Sequence, residues 1–101
     1  FSRRLLLRPA TRDYADATFE APEAGLGKTA SHEELYRIGL IYATGMGVAV
    51  DYVAAHKWFN LAVMKGNREA RLLRREMADC MCSEEIRRAQ RAAREWKLKA
   101  N

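Results

Sequence analysis

Two glycines one residue apart constrain this chain more than any other feature. Gly45 and Gly47 sit between two stretches whose apolar residues recur at helical spacing. Ahead of them, Leu35, Ile38, Gly39 and Tyr42 fall on one face of a helix that opens at Ser31. Ser31 and Glu34 are spaced so that hydroxyl and carboxylate satisfy each other's backbone amides. Behind them, Asp51 is a good N-cap for a second helix from Tyr52 to about Lys65, with Ala55, Trp58, Phe59 and Ala62 on its apolar face and Gly66-Asn67 as its stop. A Gly-x-Gly turn takes positive φ without a Cβ clash, so the two helices are expected to fold back on each other.

The pattern continues as helix. A third is predicted from about Arg68 to Met81, and a fourth from Ser83, read as an N-cap ahead of Glu84 and Glu85 at the positive helix start. Ile86, Ala89, Ala93 and Trp96 form the fourth helix's buried stripe, while Arg87, Arg91 and Arg94 share its outer face. No segment reads as a strand. The expectation is all-α, two antiparallel helix pairs in a short solenoid.

Residues 1–30 differ. They hold both prolines, Pro9 and Pro22, and no sustained period, so an extended arm is expected ahead of a helical domain over 31–101. Leu5, Leu6, Leu7, Tyr14, Phe19 and Leu26 are its candidate anchors. The run Leu5–Leu7 is too short for a secretory core. Residues 1–12 share with organellar targeting segments only their arginines and lack of acids. The chain opens on Phe1 rather than Met, so further residues upstream are expected.

At 101 residues the chain allows one small domain, and no run approaches the roughly 18 apolar residues of a membrane span. The formal charge of +5 is uneven. Arg3, Arg4, Arg8 and Arg12 load the first twelve residues, seven acids outweigh Lys28, Arg37 and Lys57 over 13–64, and eleven basic residues outweigh six acids over 65–101. Such asymmetry suits an acidic partner, and it equally suits helices whose arginines simply solvate.

Residues 35–70, a little over a third of the chain, resemble the Sel-1-like repeat, a tetratricopeptide relative built as a helix hairpin. The resemblance is carried by Ile38-Gly39, Tyr42, Gly45-x-Gly47-Val48, Asp51, Ala55, the aromatic pair Trp58-Phe59, Ala62, Gly66 and Ala70. Ile38 stands at the family's Leu position, Leu35 at its first Ala, Ala54 at a common Lys and Val63 at a second Ala. A second unit would open at Ala70 and place Leu73 at the Leu position. It would put Cys80 and Cys82 where Gly45 and Gly47 stood, a degenerate closing hairpin over 70–101. Each residue of the pattern also has a packing role. Gly39 and Ala62 permit close approach, Tyr42 and Trp58 fill the space between the paired helices, and Gly45 and Gly47 shape the turn.

The resemblance implies a non-enzymatic protein–protein interaction module, an adaptor or accessory subunit of a larger assembly such as a membrane-bound respiratory-type complex. Its partners would be proteins, its membrane contact no more than peripheral, and its setting cytoplasmic. Arg37, Ile41 and Thr44 on the first helix, with Arg71, Arg74 and Arg75 on the third, point away from the packing face and are expected to line a basic groove. The alternatives are a nucleic-acid-binding module, against which Glu84, Glu85 and Glu95 dilute the basic helix, and an exported regulator. No cofactor is expected. Cys80-x-Cys82 is short of the four ligands of a zinc site, with only His32 and His56 to add, and is read as two free thiols. His56 is expected to be a partly exposed surface histidine.

Overall fold

The structure, a computed structural model, describes residues 21–99. These form four helices: α1 (His32–Thr44), α2 (Tyr52–Met64), α3 (Glu69–Asp79) and α4 (Ser83–Lys99), with no strand among the described residues. The anchors Leu5, Leu6, Leu7, Tyr14 and Phe19 lie outside the described residues. None of the four helices is long and apolar enough to cross a membrane.

Each helix boundary has a local cause. Ser31 Oγ accepts the Glu34 amide at 3.1 Å, and Glu34 Oε1 accepts the Ser31 amide at 2.8 Å, a reciprocal cap that opens α1. Gly45, at φ 75°, closes it by sending its own amide and that of Met46 to the Ile41 carbonyl. A Cβ on Gly45 would stand 2.9 Å from Val50 Cγ2, so both backbone and space require glycine. The Asp51 amide then bonds the Tyr42 carbonyl at 3.0 Å, folding the chain back, while Asp51 Oδ1 caps α2 through the Ala54 amide. Gly66, at φ 100°, ends α2 with its amide on the Val63 carbonyl and that of Asn67 on the Ala62 carbonyl.

The turn between α3 and α4 is built differently. It holds no positive-φ residue and spans only Cys80, Met81 and Cys82, against the seven residues between α1 and α2. Helix α3 therefore ends at Asp79 rather than Met81, whose side chain packs against the core. The cap of α4 falls on Cys82, and Ser83 is already helical. The reason is the position of Glu85, three residues after Cys82, whose carboxylate accepts the Cys82 amide at 2.9 Å. Ser83 is followed at that distance by Ile86, which has nothing to return.

Packing converges on α2, which makes the broad contacts with α1, α3 and α4. Helices α3 and α4, expected to pair with each other, both find their main contact there. Against α1 the decisive site is Gly39, where an added Cβ would come within 2.5 Å of the Phe59 ring. Successive helical residues point about 100° apart. With Phe59 aimed at α1, Trp58 is turned to α4, where its ring meets that of Trp96 edge-on at 5.3 Å. Tyr42 likewise does more than fill a gap, because its hydroxyl donates to Glu23 Oε1 at 2.8 Å. Burial first, then that bond, pushes its pKa well above the usual tyrosine range. Trp58, Phe59, Leu35 and Met77 are the largest fully buried side chains, and alanines 43, 55, 62, 70, 89 and 93 let backbones close around them.

Of the arm expected over 1–30, the described part, residues 21–30, packs against this body. Ala21 to Gly27 runs as successive turns, Leu26 packs on the core, and Ala30 is buried. Lys65 Nζ, at the end of α2, donates to the Lys28 and Ala30 carbonyls at 2.7 and 2.8 Å and fastens the segment.

Two substitutions test this account by urea denaturation. Trp58→Ala should cost about 3–5 kcal/mol. Gly39→Ala should cost about 1–3 kcal/mol through overpacking against Phe59, although alanine is the better helix former. A neutral or stabilising Gly39→Ala would show that Phe59 leaves room for a side chain at position 39.

Candidate functional site

Helix α1 presents His32, Tyr36 and Leu40 along one edge at four-residue spacing, with Glu33 and Arg37 beside them. The start of α3 brings Asn67 and Glu69 opposite. Together these seven residues line an open groove of about 440 Å³. Its floor is set by Asn67, a polar residue with only 5% of its surface exposed. Its Oδ1 accepts the Ala70 amide at 2.8 Å, capping α3, and its Nδ2 reaches His32 Nδ1 at 3.0 Å. An amide nitrogen only donates, so His32 Nδ1 accepts and carries its proton on Nε2. Asn67 therefore joins the end of α2, the start of α3 and the first turn of α1. A buried amide with partners on all sides is what such a junction requires.

The walls carry both charge signs. Arg37 is exposed and shares the groove with Glu33 and Glu69. Tyr36 is half-buried, its ring 5.9 Å from that of Phe59. Burial first, then the charge of Glu69, raises the pKa of its hydroxyl, which stays a neutral donor and acceptor at physiological pH. The groove thus offers a cation, two carboxylates, a phenol and an apolar rim at Leu40, and it can hold a segment that presents mixed charge.

The six residues expected to form a basic groove are not gathered in one place. Arg37 lines the α1–α3 groove, and Arg71 and Arg75 are exposed on α3. Arg74 turns to α2, where Nη1 donates to Asn60 Oδ1 at 2.6 Å. Ile41 and Thr44 are half-buried, and Thr44 Oγ1 donates to the Leu40 carbonyl at 2.7 Å, so its hydroxyl is spent within α1.

No protein-family model, curated protein or solved structure matches the chain. What the site can do therefore rests on its own chemistry. Among the described residues no three His, Cys, Asp or Glu side chains are grouped to hold a metal ion. Cys80, half-buried, and Cys82, exposed, are free thiols.

His56 departs from expectation. It is 4% exposed rather than at the surface, and its Nδ1 has no hydrogen-bond partner. It lies on α2 between Ala55 and Lys57, on a helix wrapped by three others, so a position that reads as solvent-facing in one hairpin is covered by another element. Burial first, then the charge of Arg74, lowers its pKa below the ordinary 6.5. The tertiary hydrogen bonds of Asn67 and Lys65 are likewise not expected from the sequence. The spacing of Asn67 to Ala70 is an N-cap signal, masked by reading Gly66-Asn67 only as a stop.

The sign of the pH effect follows. As pH falls through about 6.5 the unfolded chain takes up a proton that folded His56 resists, so stability drops by up to about 1.4 kcal/mol per pH unit until the folded group titrates. Above that value His56 costs nothing further. Denaturation midpoints at pH 8 and pH 5 should differ less for His56→Leu than for wild type. Equal differences would show that His56 titrates alike in both states. Separately, Asn67→Ala should cost about 2–4 kcal/mol, from the lost α3 cap and the unpartnered groups left behind.

Proposed function

We infer that this chain is a non-enzymatic protein–protein interaction module of the Sel-1-like kind, a short helical solenoid serving as an accessory or assembly subunit of a larger complex. The observation that carries the reading is the agreement between the repeat pattern and its physical demands. Gly39 stands at the close approach to Phe59, Gly45 and Gly47 take positive φ, Asp51 caps α2, and Ala55, Trp58, Ala62 and Ala70 are buried. Stacked hairpin repeats bind partners along an extended concave surface, and the α1–α3 groove supports that role here. Its mixed lining of Arg37, Glu33 and Glu69 supports recognition of a polar protein segment.

A place at the aqueous face of a membrane-bound assembly suits the exposed arginines of α3 and α4, because anionic headgroups attract basic surfaces within a screening length. Under this reading contact with the bilayer is peripheral and the binding energy comes from protein.

Affinity purification of the tagged full chain from its host, followed by mass spectrometry, tests the reading. The expected result is a reproducible set of subunits from one complex, with recovery cut by at least about tenfold on Arg37→Glu, a loss of about 1.4 kcal/mol. Recovery of no protein above a tag-only control, or recovery dominated by RNA that falls away with salt, would sink it.

A further inference from the structure

On the other side of α1 from that groove lies a second recess, between α1, α2 and α4. Leu35, Leu61, Met64 and Trp96 form its walls, and Lys65 and Lys97 stand at its rim. Its volume is about 200 Å³. Sites for small molecules typically run to about 300–1,000 Å³, so this recess is the size of one or two side chains rather than of a substrate. Leu35 and Leu61 at its base are buried, while Met64 at its mouth is 46% exposed. The apolar surface is therefore open to solvent at one end.

The rim sets what can enter. The lining holds two ammonium groups and no carboxylate. Lys65 is not a mobile surface lysine, because two of its three N–H donors are committed to the Lys28 and Ala30 carbonyls. Those acceptors are neutral, so among the described residues no carboxylate pairs with its charge, and its third donor remains for a ligand. An ammonium held in place beside an apolar slot has already lost much of the side-chain freedom that binding would otherwise have to remove. Like charge repels at this rim, whereas a carboxylate flanking a buried apolar group satisfies both features.

We propose that this recess docks an acidic peptide segment of a partner protein, one bulky apolar residue entering between Leu61, Met64 and Trp96 while flanking carboxylates pair with Lys65 and Lys97. The site lies apart from the α1–α3 groove and does not depend on the role assigned to that groove. Interfaces draw most of their energy from a few anchors seated in desolvated pockets, and charge pairs at the rim add orientation and rate.

The experiment is a titration of the ¹⁵N-labelled full chain with the capped peptide acetyl-Asp-Asp-Glu-Phe-Glu-Asp-amide, followed at the Trp96 indole N–H. A saturable shift is expected. It should weaken at least about tenfold when the phenylalanine is replaced by alanine, and by a similar factor in Lys97→Glu. Lys97 is exposed, so that variant should keep its circular dichroism spectrum. Met64→Asp, at the mouth, should weaken binding in the same way without touching either lysine. Four outcomes would each overturn the proposal: no saturable shift, equal binding by the alanine peptide, equal binding by folded Lys97→Glu, or equal binding by a peptide with lysine at every acidic position. A Trp96 shift that follows protein concentration without peptide would assign the recess to a second copy of the chain. A shift produced by phosphatidylglycerol vesicles and not by the peptide would assign it to lipid. Either result would likewise overturn it.

Discussion

The approach of Phe59 to Gly39 is the contact on which the rest of the arrangement depends. A ring can lie against the backbone of α1 only because position 39 has no Cβ, and that brings α1 and α2 together along their length. Once Phe59 is committed to α1, the geometry of α2 assigns the remaining directions. Trp58 is turned to α4 and its partner Trp96, and Asn60 meets Arg74 of α3. One helix thus serves three neighbours. An edge-on aromatic pair adds about 0.5–1.5 kcal/mol beyond area burial, useful in a domain whose entire stability is a small difference of large terms.

The surface recesses follow from what that central helix leaves over. With α2 at the centre, Asn67 links the first turn of α1 to the start of α3, and the space beside it is the open groove with its mixed charge. On the opposite side the end of α2 meets α4 at Trp96, and the shortfall of packing there is the slot rimmed by lysines. Both recesses arise where helix ends converge, since ends leave backbone groups to be capped by side chains and rarely fill space completely. Asn67 caps α3 and Lys65 ties residues 28–30 to the end of α2, and each sits beside one of the recesses. The polar residues that close the fold are therefore the ones that shape its surface.

Much of the local structure was legible in the sequence. Ser31 with Glu34, Asp51, Gly45 and Gly66 each announce a boundary because the chemistry of capping acts over three or four residues. The break came at Cys82. Ser83 is the better capping residue by type, yet Glu85 reaches Cys82 and not Ser83, so the spacing of a carboxylate outweighed the preference for a hydroxyl. His56 departs from its sequence pattern for another reason. Its exposure depends on how three helices surround α2, and periodicity along one helix cannot say how many neighbours that helix has. The dispersal of Arg37, Arg71 and Arg74 has the same origin, since a shared face on paper becomes three directions once α3 leans on α2.

By itself the sequence determined that this chain is helical, where most of its turns fall, and which residues had to be small or aromatic. Those properties are set by φ, by capping and by side-chain volume within a few neighbouring residues. Only the tertiary structure decided that α2 stands at the centre, that residues 21–30 are fastened to it by Lys65, and that the basic residues look outward in several directions. These depend on contacts between residues tens of positions apart, for which no local rule of spacing exists.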